Sequence, residues 1–238
     1  KARREQEQKK KEAKEGGAVF AAGCSFYKLI VLFFLGAFLG DITETIFVFV
    51  TAGKLMSRSS VVYGPFSIVW GLGCMLLTAI LYQYRNRSDS FIFVFGTVMG
   101  GAYEYICSVF TEIVFGTVFW DYSKIPFNLG GRINLLFCFF WGIAAVIWMK
   151  VLYPFISKWI EKIPKKKGIW ATWILIVFMV FDIGVTALAL NRYTVRQTGE
   201  GIHTAADAYM DAHFPDERIE SRFPNLRMVE KPVGREIR

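Results

Sequence analysis

The sequence predicts an all-α membrane protein of five transmembrane helices, with the N-terminus inside and the C-terminus outside. Three observations predict it. First, five apolar blocks are long enough to cross a bilayer, which takes about 20 residues per helix. They are roughly residues 26–52, 64–84, 90–116, 131–154 and 168–191. Second, none of these blocks alternates with the period of two that a barrel strand needs, and lipid leaves only helices and closed barrels as spanning structures. Third, the flanking lysines and arginines fall unevenly, 14 on one side and 6 on the other. Basic residues accumulate on the cytoplasmic side. At 54% hydrophobic and 17% aromatic residues, the chain is also more apolar than a soluble domain of this length requires. The net charge of +8 therefore speaks to topology, and no nucleic-acid partner is expected.

Three regions follow. Residues 1–25 form a cytoplasmic arm whose bases, such as Arg3, Lys9 and Lys14, alternate with Glu5, Glu12 and Glu15. Residues 26–191 form the five-helix domain. Residues 192–238 form a polar extracytoplasmic tail, too poor in apolar residues for an independent core. It is expected to pack as a short helix and loop on the outer face, or to be partly disordered. No cleavable signal is expected, because the first apolar block is too long. Cys24, Cys74, Cys107 and Cys138 show no metal or disulfide spacing and read as small buried hydrophobes. His203 and His213 read as solvated. No metal and no cofactor is expected.

The first span carries GAFLGDITE (36–44) and the third carries GTVMGGAYE (96–104). Both have Gly, Gly and Glu at intervals of four, which places all three on one helix face. Small strips let helix backbones approach closely, so Glu44 and Glu104 are expected on buried faces at similar depth. Trp70-Gly71 in the second span and Trp141-Gly142 in the fourth add a second match. Spans one and two then read as a parallel repeat of spans three and four, with the fifth added; chance recurrence of glycines is the other reading.

A carboxylate at a helix centre costs about 2.5–3.5 kcal/mol on insertion scales. Asp41, Glu44, Glu104, Glu112 and Asp182 nevertheless lie within spans. Either each is neutralised to fix packing, or they line a water-accessible acidic cavity in the outer half. The connection FWDYSKIPFNLGGRIN (119–134) faces them. Trp120 and Tyr122 suit an interface, and Asp121 and Asn128 add polar groups. Pro126 and Gly130-Gly131 force turns. Arg132 is the expected counter-ion for Glu44 and Glu104. On the same side Tyr63 precedes Pro65, which suits a first helical turn. Anchoring and capping explain both motifs, as does a lid over the acids.

GDITE (40–44), YGPF (63–66), the mid-span EY (104–105), WDYSKIPFNLGGRI (120–133), FFWG (139–142) and the tail's FPDE and FPN resemble a family of small bacterial polytopic membrane proteins. That family is named type IV ABC-transporter permease-like. The resemblance spans about residues 26–228. It implies a multi-pass protein of the bacterial plasma membrane, surrounded by the lipid bilayer, with another membrane subunit or a second copy as partner. The chain has no GxxxxGK[ST] phosphate loop.

Three functional classes remain. A transporter would bind a cation, or a cationic or proton-coupled solute, at Glu44, Glu104, Arg132, Asp121, Tyr122, Trp120, Asp41, Tyr63 and Asn128. Aromatic faces beside carboxylates suit a cationic group. A non-catalytic partner or sensor subunit would use the acids for packing. An intramembrane lipid-modifying enzyme would use a glutamate as general base; the sequence offers no Ser-His, Cys-His or HExxH set.

Overall fold

The computed structural model describes residues 19–115, 117–199, 201–202 and 204–228. Most of the arm expected over residues 1–25, and His203, lie outside the described residues. The chain is mostly helical, 72%, with four helices long and apolar enough to cross a membrane. Helix α1 runs Phe26–Ala52. Ser25 caps its start and Gly53 ends it in the left-handed region (φ 66°). Helix α2 is Ile68–Leu81, followed by a 3-10 turn over Tyr82–Tyr84. Helix α3 is Asp89–Phe115. Helices α4 (Leu135–Ile147) and α5 (Tyr153–Glu161) are joined through a π-turn at Trp148–Leu152 into one span. Helix α6, Lys165–Gln197, has 33 residues. At about 1.5 Å per residue it is roughly 50 Å long, well beyond a hydrocarbon core of about 30 Å.

The second span is shorter than expected, and the backbone shows why. Residues 57–67 hydrogen-bond among themselves instead of starting a helix. Ser60 N donates to Phe66 O at 2.9 Å, Ser59 Oγ accepts from Phe66 N at 3.1 Å, and Gly64 adopts φ 71°. Pro65 therefore lies in this loop and not in a first helical turn. The start of the loop is buried, with Val61 at 0% exposure, and its backbone is bonded to α6. Val62 N donates to Thr186 Oγ1 at 3.0 Å and Tyr63 N to Asp182 Oδ1 at 3.1 Å. The π-turn has a similarly local cause. Pro154 has no N–H, and its ring would clash with a carbonyl one turn back; a widened turn just before it relieves that clash.

Glycine sets how closely the helices pair. A Cβ added to Gly40 would lie 2.2 Å from the Trp70 Cβ, and one at Gly36 would lie 2.6 Å from the Cys74 Cβ. On α3 and α4, a Cβ at Gly100 would lie 2.3 Å from the Trp141 Cβ, and one at Gly96 would lie 2.4 Å from the Ala145 Cβ. The reverse contacts correspond as well. A Cβ at Gly71 would meet Phe33 O, and one at Gly142 would meet Phe93 O, both at 2.8 Å. The α3–α4 contacts thus use residues 60 and 71 positions on from those of α1–α2.

After α6 come two short helices, α7 (Ala205–His213) and α8 (Asp216–Arg222). Phe214, Ile219 and Phe223 are buried against Val62, Ala189, Leu190 and Tyr193. Two small antiparallel pairings complete the fold. Strand β1 (Thr117–Val118) pairs with β4 (Arg227–Met228), and β2 (Asn128–Leu129) pairs with β3 (Ile133–Asn134). The tail is thereby tied to the loop between α3 and α4.

Candidate functional site

The two Gly-x3-Gly-x3-Glu strips bring each glutamate beside a tryptophan. Glu104 on α3 is buried, 7% exposed. Its carboxylate accepts from Tyr122 Oη at 2.6 Å and from Trp141 Nε1 at 3.3 Å. Glu44 on α1 lies beside Trp70 and faces Arg58 Nε at 3.6 Å. The rings of Trp70 and Trp141 lie 5.4 Å apart between their centroids, tilted by 32°. Two carboxylates and two indoles thus form one assembly between the α1–α2 and α3–α4 pairs. Glu44 and Glu104 lie within electrostatic reach of one another. The Tyr122 phenol is held above its ordinary range, first by burial and then by the Glu104 carboxylate. It therefore remains a donor at neutral pH.

The 119–134 connection holds Tyr122 in place. Tyr122 N donates to Gly131 O at 2.8 Å, and its ring stacks on Phe137 at 4.9 Å. Asn128 closes the turn by accepting from Gly131 N at 2.9 Å and donating to Ile125 O at 2.7 Å. Trp120 Nε1 donates to Arg132 O at 3.0 Å. Asp121 is exposed and accepts from Ser123 N at 2.9 Å. Gly130 (φ 59°) and Gly131 (φ 70°) supply the left-handed corner that a side chain disfavours. Trp120, Asp121 and Asn128 therefore shape the loop, while Tyr122 is the residue that reaches an acid.

Arg132 does not pair with Glu44 or Glu104. It forms an ion pair with Glu112 and donates to Ser108 Oγ at 3.2 Å. Residues 104, 108 and 112 share one face of α3 at successive turns. The hairpin that carries Arg132 lies alongside the later two of these turns, beyond Glu104. The cation beside Glu44 is Arg58, from the loop after α1.

Asp41 and Tyr63 belong to a neighbouring set. Asp41 is 7% exposed, and its Oδ1 has no hydrogen-bond partner among the described residues. Asp182 is 0% exposed and holds the Tyr63 backbone through Oδ1. The Tyr63 ring stacks on Phe181 and meets the edge of Phe214. Arg222, at the end of α8, lies within electrostatic reach of both Asp41 and Asp182. It donates to Val61 O at 2.8 Å and Ser59 Oγ at 2.9 Å, and also to Gly64 O.

Arg58, Trp70, Trp141 and Arg222 thus join the residues that the sequence singled out. The Trp-Gly match marked two of them as repeated, without marking them as neighbours of the acids. Arg222 has no local signal, standing 158 to 163 residues from the three groups to which it donates.

Among the described residues no group of His, Cys, Asp and Glu could hold a metal ion. The four cysteines are free, and only Cys138 among them is buried. Comparison with curated proteins gave no match, and comparison with solved structures gave none either. A family model described as "Putative ABC-transporter type IV" matches residues 31–187, more than half of the chain and all of the glycine contacts between the paired helices. With that match and four apolar helices of spanning length, the chain is a membrane-spanning, transporter-like protein that belongs to this ABC-transporter type IV family.

Proposed function

We propose that this protein is a permease-like component of the plasma membrane with an outward-facing acidic site for a cation, or for a cationic or proton-coupled solute. The observation that carries this reading is the assembly of Glu44, Glu104, Trp70 and Trp141. Two carboxylates within reach of one another, beside two aromatic faces, favour a positively charged group. The fivefold span count belongs to the same reading. Helix α2 and its closing turn cover only Ile68–Tyr84, and the loop packed above them completes the crossing. So does the parallel repeat, for which the glycine contacts at constant offsets and the matched Glu–Trp pairs are the support.

A second reading has its own observation. Glu104 already has donors from its own chain, Tyr122 and Trp141, and Glu44 already faces a cation of its own chain, Arg58. That is what an acid used only for packing needs, and a non-catalytic partner subunit would look the same. Glutamine separates the two readings, because it keeps the shape and removes the charge. Melting of the purified protein is measured against a panel of alkali cations, primary amines and quaternary amines. A ligand at a hundred times its Kd stabilises by about 2.7 kcal/mol. We expect one class to raise Tm in the wild type, and Glu44→Gln and Glu104→Gln to fold yet lose that rise. A rise unchanged in both variants, or none with any class, removes the cation site.

A further inference from the structure

At the opposite end of the molecule from the acids lies a cavity of about 630 Å³. Its walls come from the turn after α2 (Tyr82, Arg85), from Lys150 in the π-turn, and from Ser157, Lys158 and Glu161 on α5. We propose that it binds a phosphate-bearing anion at the level of the lipid headgroups.

The charges are arranged for this. Three cations, Arg85, Lys150 and Lys158, line the cavity against one acid, Glu161. Glu161 is already neutralised from behind. Lys28 on α1, at 0% exposure, donates to Glu161 Oε1 at 2.7 Å and to Ser157 Oγ at 2.5 Å. A buried lysine is stable only when paired and hydrogen-bonded in this way, and the pairing leaves Arg85 and Lys158 uncancelled by Glu161, with Lys150 shared with Asp89 at the rim. Lys150 Nζ donates to Arg87 O at 2.6 Å and faces Asp89 at 3.4 Å, which fixes its ammonium at the rim. Arg85 is laid over the Tyr82 ring at 4.2 Å and gives one N–H to Tyr82 O at 2.8 Å. A guanidinium has five N–H donors in a planar fork that matches phosphate oxygens.

Position favours a lipid over a soluble anion as the source. Phe155 and Trp159, on the same short helix as Lys158, are 61% and 59% exposed, as interfacial aromatics are. Clustered bases next to a span, at headgroup depth, attract anionic lipid. A soluble phosphate would use the same three cations, so the test includes both.

The full chain is placed in nanodiscs of phosphatidylcholine with or without phosphatidylglycerol, and the lipid retained after delipidation is measured. The same Tm is read in pure phosphatidylcholine with added inorganic phosphate. The variants are Arg85→Gln with Lys158→Gln, and, as a control of equal charge change outside the cavity, Lys166→Gln with Lys167→Gln. We expect the cavity pair to lose about tenfold in phosphatidylglycerol retention while the control pair retains it. A phosphate-dependent Tm rise that only the cavity pair abolishes would assign the site to a soluble anion and keep the proposal. Equal retention by the two pairs, with no phosphate response, overturns it. Should the cavity pair fail to fold, Lys158→Gln alone carries the same comparison.

Discussion

At the scale of single residues, glycine decides where the acids go. Gly40 and Gly100 lie so close to Trp70 and Trp141 that any side chain there must push a helix away. Overpacking of this type typically destabilises by about 1–3 kcal/mol. Gly100→Ala should therefore lower stability in that range and loosen the Trp141–Glu104 contact. Gly184→Ala on α6, where an added Cβ meets nothing within 4 Å, should be neutral or slightly stabilising. Thermal melts of the two variants side by side check this, and equal melting points would contradict the close-approach account. The spacing of Gly36, Gly40 and Glu44, and its recurrence at 96–104, was legible because helical geometry puts such residues on one face. The pairing of Arg132 was not. Position in sequence places an arginine at the mouth of a span, but the exact turn it meets depends on the β2–β3 hairpin. That hairpin moved it past Glu104 to Glu112.

At the scale of elements, α1, α3 and α6 were readable from apolar length, α1 and α3 to within one residue, while α6 runs on to Gln197, six residues past the expected end and into the expected tail. Helix α2 was misjudged because hydropathy cannot see that residues 57–67 bond to themselves and to Asp182 and Thr186. Of the two forms expected for the tail, the described residues take the packed one, as two short helices and a loop. The tail's apolar residues are few, yet Phe214, Ile219 and Phe223 are enough, because two arginines clamp the connection. Arg192 holds Asp211 through Nε and Nη2 at 2.9 and 2.8 Å. Arg196 reaches Asp211 at 2.5 Å and Asp216 at 2.6 Å. These guanidinium contacts pull the Asp211 carboxyl down to about 2 from 3.8. A carboxyl depressed on folding contributes docking stability that is complete above its unfolded pKa and is lost as pH falls through the folded one. A nitroxide at exposed position 212 should therefore stay immobile from neutral pH to about 4 and gain mobility between about pH 4 and 2. Asp211→Asn should be mobile already at neutral pH. A label equally immobile in both proteins at pH 7 would show that the clamp does not hold the tail.

At the scale of the whole molecule, two ends of opposite chemistry stand out. One end gathers Glu44, Glu104, Asp41 and Asp182 under the 119–134 loop and the tail; the other gathers Arg85, Lys150 and Lys158 around a cavity. The basic excess on the second side predicts that it faces the cytoplasm. Cysteines placed singly at 166 and at 209, in a background free of the native four, should react with an impermeant reagent from opposite sides of sealed vesicles. Reaction of both from one side would refute the orientation. The membrane character was legible at once from the composition. The chemistry of the acidic end was only half legible, because its donors come from five separate segments.

The central claim is that the acid pair serves passage of a positive charge. Charge movement in proteoliposomes on a solid support, after a jump in the concentration of the cation class that stabilises the protein, tests it most directly. The account predicts a transient current in the wild type, reduced at least about tenfold in Glu104→Gln, in line with losing an interaction of about 1.4 kcal/mol or more. A Glu104→Gln current equal to the wild type's, in protein that melts normally, would contradict it.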